Sequence, residues 1–400
     1  MPLVCAPGAL APGGTLSAST YGTALAAAYS TVHHARSEGT HAMRQRVASA
    51  FLEFLTRLPA ELNKNISNAT ANDVLVFLQL EWRHHGRTHL PDGTIVASAS
   101  GLGNAASALG ATFDILGRRG EWDPLTLSGN PCASFEVRLY RSGYQRELWG
   151  QDIEPTAATP LRHDKVLALV VHLDAKRALL TADPIYSESR FLQLRGLLLE
   201  RDALLFTYLS ASIQRGGEGA RLRLCDIRTA HSEGVTGVSL PLGNALIADR
   251  APAVSVHPNG VKTRQRRDCG HFLLQPHPDS RVCFMSRLAH FSSSCRALGF
   301  PLRAPAGFIF RIMDPQDRRR LIETPLSVSA SLSRLRASLK SLGDYQGETM
   351  HSFRRAGMQS DQDTGVTPHE TMKRALIVSP SSYNLYTDRR RPTKAQRMCE

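Results

Sequence analysis

Apolar residues recur at helical spacing along the first third of the chain. Met43, Val47, Phe51, Phe54, Leu55 and Leu58 form an i, i+4, i+8 stripe that predicts an amphipathic helix ending at Pro59. Asn72-Asp73 predicts the cap of a second helix, with Val74, Leu75, Phe77, Leu78 and Trp82 on its buried side. A Gly- and Pro-containing loop follows over residues 84–94. A third helix then carries Leu102, Leu109, Phe113 and Leu116 and stops at Gly117, a residue suited to the left-handed position past a helix end. A fourth, over about residues 133–148, is expected to expose Arg138, Arg141 and Arg146. The pattern predicts an all-α block, and no internal repeat interrupts it.

Periodicity lapses in Asp152-Ile-Glu-Pro-Thr-Ala-Ala-Thr-Pro160, which reads as a linker. Beyond it the spacing predicts helices near 164–181 and 186–213. Short strand-like pieces follow between about 222 and 275, with Leu222 and Leu224 alternating with Arg221 and Arg223, and Pro258-Asn-Gly260 marking a hairpin turn. Helices return near 279–298, 327–341, 351–361 and 367–376. The second half is therefore expected to be α+β, mostly helical with one small sheet. The domain reading is a disordered leader at 1–38, a helical domain at 39–150, a linker at 151–163, an α+β domain at 164–388 and a basic tail at 389–400.

Composition narrows the partner. The 400 residues carry a formal charge of +13, which favours a polyanion; nucleic acid is the first candidate and an anionic membrane surface the rival. No apolar run approaches the about 18–20 residues that cross a bilayer. Aromatics are only 6%, which argues against a single-strand binder built on stacking. Seven scattered cysteines with no C-x-x-C pair fit reduced thiols, in the nucleus of a eukaryote or otherwise the cytoplasm. Cys269, His271, Cys283, His290 and Cys295 match no compact zinc module and read as ordinary residues. The first 37 residues contain no acid and a single arginine, Arg36. They read as a low-complexity leader rather than a transit peptide.

Four pieces of sequence carry possible chemistry. His351-Ser-Phe-Arg354 puts an imidazole and a guanidinium on one helix face at i, i+3, near a helix N-terminus that favours phosphate. A solvated helix face would show the same letters. Arg215 precedes two glycines and stands three residues before Glu218, which can hold the guanidinium. An exposed Arg–Glu pair is the plainer reading. Lys262 follows the hairpin turn; a strand-edge lysine commonly only blocks edge pairing, but one at a hairpin tip can protonate a leaving oxygen. Tyr386 follows Ser379-Pro380, a cap and proline that start a short helix, and Tyr383 stands one turn earlier. Thr367-Pro-His-Glu370 is a capping box for the helix before it. For either tyrosine the alternative is core packing.

The order Arg215, Lys262, His351-x-x-Arg354, Tyr386 resembles the tyrosine recombinase (integrase) family over about residues 160–390. A helical domain ahead of it is similar in type and position to the family's core-binding domain. The resemblance implies an enzyme of mobile-element type that cuts and rejoins double-stranded DNA. Tyr386 would form a 3′-phosphotyrosyl link, Arg215 and Arg354 would bind the non-bridging oxygens, Lys262 would protonate the leaving 5′-oxygen, and His351 would assist as acid/base. No cofactor, metal ion or small-molecule substrate is implied. Self-association on DNA as a dimer or tetramer is. A type IB topoisomerase uses similar chemistry, but the compact size and the ordering disfavour it.

Two departures accompany the resemblance. Nine residues before Tyr386 the family usually has His or Trp; here it is Ile377, which cannot hydrogen-bond a phosphate. That keeps open a catalytically silent, domesticated DNA-binding derivative. The tail, with Arg389, Arg390, Arg391, Lys394 and Arg397, reads as a basic extension that contacts phosphates without reading sequence.

Overall fold

The computed structural model describes residues 38–389 except 87, 152, 154–156, 232–233, 240–252, 259–270 and 303–306. Lys262, Asn259 and Gly260, the leader and the tail beyond Arg389 lie outside the described residues. The chain divides into two compact units, Met1–Pro155 and Thr156–Glu400.

In the first unit, α1 (Glu38–Thr56), α2 (Ala71–Leu80), α3 (Ala99–Ile115) and α4 (Phe135–Gly150) bury the apolar stripes against one another. Phe51 is the hub, edge-on to Phe77 at 5.1 Å and to Phe113 at 5.9 Å. Thr70, not Asn72-Asp73, caps α2: its hydroxyl accepts from the Asp73 amide while the Asp73 carboxylate accepts from the Thr70 amide. Asp73 thus sits inside the first turn, where a carboxylate favours the helix dipole. Across the end of the expected loop, β1 (Thr88–His89) pairs antiparallel with β2 (Ile95–Val96). On α4, Arg138 and Arg146 are exposed, whereas Arg141 is half-buried beside Gly103.

The second unit is built around α6 (Arg190–Ser212), which is buried along most of its length from Leu194 to Leu209. It packs against α5 (His163–Thr181), α8 (Phe284–Ala297) and α10 (Met350–Asp363). Phe206 stacks on Phe353 at 5.8 Å, fastening α6 to α10. An antiparallel sheet has the order β4 (Gly234–Ser239), β3 (Ile227–His231), β5 (Val254–Val256), β6 (Phe272–Leu274), with Ile227 opposite Val256 and Val256 opposite Phe272. Residues 222–226 do not extend that sheet. Leu224–Asp226 is a 3₁₀ turn, because the Asp226 carboxylate accepts from the Arg223 amide and closes it. A second ladder, β7 (Arg311–Met313) with β8 (Leu321–Pro325), adds to the one sheet expected. After α9 (Val328–Ser341) and α10, the short α11 (Pro368–Arg374) and α12 (Pro380–Thr387) complete the unit. Among the described residues no helix is long and apolar enough to cross a membrane.

Charge is buried in the middle of α6. Glu200, 5% exposed, accepts from His290 Nδ1 at 3.3 Å and Ser294 Oγ at 3.2 Å, and also pairs with Arg177. The bond to Glu200 raises the His290 pKa, opposed by burial and by Arg177 and Arg287. Stability from this pair is complete below the unfolded value of about 6.5 and fades as pH rises through the folded pKa. Denaturant melts between pH 6 and 8 are expected to show declining stability, and His290→Ala to flatten that slope.

Candidate active site

Three short elements meet at one place in the second unit. The first is the end of α6, where Ile213 takes left-handed backbone (φ 56°) and turns the chain into Arg215 and the short α7 (Gly216–Gly219). The second is the start of α10, capped by the Thr349 hydroxyl, which accepts from the His351 amide. The third is α12, capped by the Ser379 hydroxyl with Pro380 at its first position.

Two glycines let the first two elements approach closely. A Cβ on Gly216 would lie 2.6 Å from Met350 Cβ, and one on Gly357 would lie 2.8 Å from Ile213 Cγ1. Helix α10 therefore lies backbone-close to the α6 terminus. That contact brings Arg354 to the Ile213 carbonyl, to which its Nη1 donates at 2.9 Å.

Arg354 has no solvent exposure. Among the described residues its Nε and Nη2 have no hydrogen-bond partner of good geometry. The Tyr386 ring lies beneath the guanidinium, 5.3 Å from Cζ to the ring centroid, a cation–π distance. Burial lowers the Arg354 pKa to about 10; the Tyr386 phenol and Glu218 act the other way, and the charge of Arg215 lowers it further. The side chain stays protonated at neutral pH. Arg215 itself donates to Glu218 Oε1 at 3.0 Å, the pairing that its spacing suggested. The Tyr386 hydroxyl stands 3.4 Å from His351 Nδ1, and His351 is exposed.

Tyr386 is thus in contact with both His351 and Arg354, with Arg215 near enough for its charge to act on Arg354. Lys262 is outside the described residues; β5 and β6, the strands before and after it in sequence, pair with each other. Tyr383 is buried with Ile213, Met358, Ala375 and Ile377 in a small apolar cluster against which the partly buried Tyr386 packs. Ile377, 5% exposed, is a packing residue there.

Nothing in the residue pattern singles out Arg355 or Gln359. Arg355 is 2% exposed and donates to main-chain carbonyls at the end of α12, Nη1 to Leu385 at 3.4 Å and Nη2 to Asp388 at 2.6 Å. Gln359 Nε2 donates to the Tyr386 carbonyl at 3.4 Å. The only signal in the letters was a second arginine directly after Arg354.

No family model matches the sequence, and no curated protein matches it. Solved structures do. The chain is similar to XerH site-specific recombinase in a pre-cleavage complex with its difH substrate, at 11% identity and a TM-score of 0.51, over 84% of this chain and 74% of that one. A lambda integrase dimer bound to a COC′ core site matches at 12% identity and a TM-score of 0.48, over 92% and 95%. The Tn1549 transposon integrase in complex with circular intermediate DNA matches at 12% identity and 0.45, over 90% and 92%. At these identities the likeness is one of fold, and the XerH match shows it: this chain has the tyrosine-recombinase fold.

Proposed function

We propose that the protein cleaves and rejoins duplex DNA through a 3′-phosphotyrosyl intermediate on Tyr386. The observation that carries the reading is Arg354, a buried cation beside the Tyr386 phenol, two of whose nitrogens have no hydrogen-bond partner of good geometry among the described residues. A buried charge of this kind costs stability unless something binds it. A phosphate oxygen, gripped by the planar guanidinium, is the partner that such a geometry suits.

The residues then divide the work. A scissile phosphate enters beside Arg354 once the Tyr386 ring moves off the guanidinium. Arg354 and Arg215 take its non-bridging oxygens and stabilise the added charge of the five-coordinate state. The Tyr386 oxygen forms the new bond to phosphorus as the bond to the 5′-oxygen breaks. The phenolic proton passes to His351 or to water, and Lys262 gives a proton to the 5′-oxygen, so the step is proton-neutral overall. Attack by a 5′-hydroxyl on the phosphotyrosine reverses these transfers and reseals the strand. The formal charge of +13 suits a duplex partner. DNA held by the helical and α+β units together, a mobile-element role and assembly as a dimer or tetramer belong to the same reading.

A suicide duplex nicked beside the target bond tests it. The expected result is a denaturation-resistant protein–DNA adduct that Tyr386→Phe abolishes and Tyr383→Phe leaves intact. DNA binding without any adduct would favour the second reading, a silent DNA-binding derivative, which the apolar packing of Ile377 supports.

A further inference from the structure

We infer that Arg355 is the positioning residue for Tyr386, fixing the nucleophile's helix against Arg354 by holding its C-terminal main chain. The inference rests on the reading of Tyr386 as the nucleophile and adds a residue to that site. Helix α12 is two turns long, and its own hydrogen bonds leave its last carbonyls open. Arg355 occupies two main-chain acceptors there, Leu385 immediately before Tyr386 and Asp388 two residues after it. Gln359, one turn further along α10, takes the carbonyl of Tyr386 itself. A cation at a helix C-terminus also complements the helix dipole.

The two neighbouring arginines of α10 therefore have different tasks. Arg354 reaches the α6 terminus and faces the phenol. Arg355 reaches the backbone that carries the phenol. Because both leave the same turn of one helix, the distance from phosphate-binding guanidinium to tyrosine is set inside a single rigid element. Arg355 holds main-chain atoms on either side of Tyr386 and makes no hydrogen bond to its phenol among the described contacts. A displacement of about 1 Å at a reacting atom can cost about 10²-fold in rate.

The test uses the full-length protein with fluorotyrosine at position 386. Arg355→Ala and Arg355→Gln are expected to shift or broaden the fluorine resonance of that residue while DNA affinity stays within twofold. Adduct formation on the suicide duplex is expected to fall about 10²-fold. A duplex with sulfur in place of the 5′-bridging oxygen, whose thiolate leaves without a proton, is expected to rescue Lys262→Ala but not Arg355→Ala. Should Arg355→Ala not fold, Arg355→Lys, which keeps the charge but loses the fork, gives the same readouts at smaller amplitude. An unmoved resonance overturns the inference, as does an adduct rate within twofold of the unsubstituted protein. If the unsubstituted protein forms no adduct, the cleavage reading fails, and the fluorine resonance alone still decides the role of Arg355.

Discussion

Replacing Arg354 by methionine is expected to remove cleavage activity without lowering the melting temperature. Both halves follow from the same burial. The fold holds this guanidinium at a pKa of about 10 against an ordinary value of 12.5, so keeping it charged at neutral pH costs about 3 kcal/mol. Methionine fills comparable space, carries no charge and suits an aromatic neighbour such as Tyr386. Against that gain stands the Ile213 carbonyl, which loses its donor at a cost of about 1–3 kcal/mol. The balance is near zero or favourable. Activity has no such compensation. Removing one preorganised donor to a phosphoryl oxygen costs about 10²–10³ in rate. Adduct yield from the suicide duplex and a thermal melt of the same sample measure the two effects. A melting temperature several degrees lower with activity retained would make Arg354 a structural residue and remove the main support for the site.

What could be read from the letters was what repeats or caps. The α1 and α3 stripes, the capping box at Thr367 and Glu370, and the Ser379-Pro380 start of α12 depend on local spacing, and each appears at its expected place except Leu116, which falls past the end of α3 and is exposed. The i, i+3 placing of His351 and Arg354 at the start of one helix and the pairing of Arg215 with Glu218 were legible for the same reason. Residues 222–226 misled because alternation predicts a strand only where a neighbouring strand accepts it, and here an aspartate closes a turn first. The partners of Arg355 were illegible for a different reason. They are main-chain carbonyls, and every residue has one, so no letter at 385 or 388 advertises the contact. Gly357 likewise means nothing until the α6 terminus is placed against it.

That glycine carries the second large effect. Gly357→Ala is expected to destabilise the α+β unit and to reduce adduct formation about 10²-fold, although residue 357 touches no substrate in the proposed mechanism. The added Cβ would meet Ile213 Cγ1 at 2.8 Å and Cδ1 at 3.2 Å. Ile213 has little room to yield, because it is fully buried and its left-handed backbone already strains a β-branched residue. The helix must move instead. Overpacking of this kind costs about 1–3 kcal/mol, or roughly 2–12 °C in melting temperature for a unit of this size. Moving α10 away from the α6 terminus also stretches the Arg354 bond to the Ile213 carbonyl and draws Arg354 away from Arg215. Ile213→Ala removes the two atoms that clash, so the double variant should recover stability and part of the adduct rate relative to Gly357→Ala alone. The cycle measures the coupling directly. Additive losses in the double variant would mean that the two positions act separately, and the close approach of α10 to α6 would not be what assembles the site.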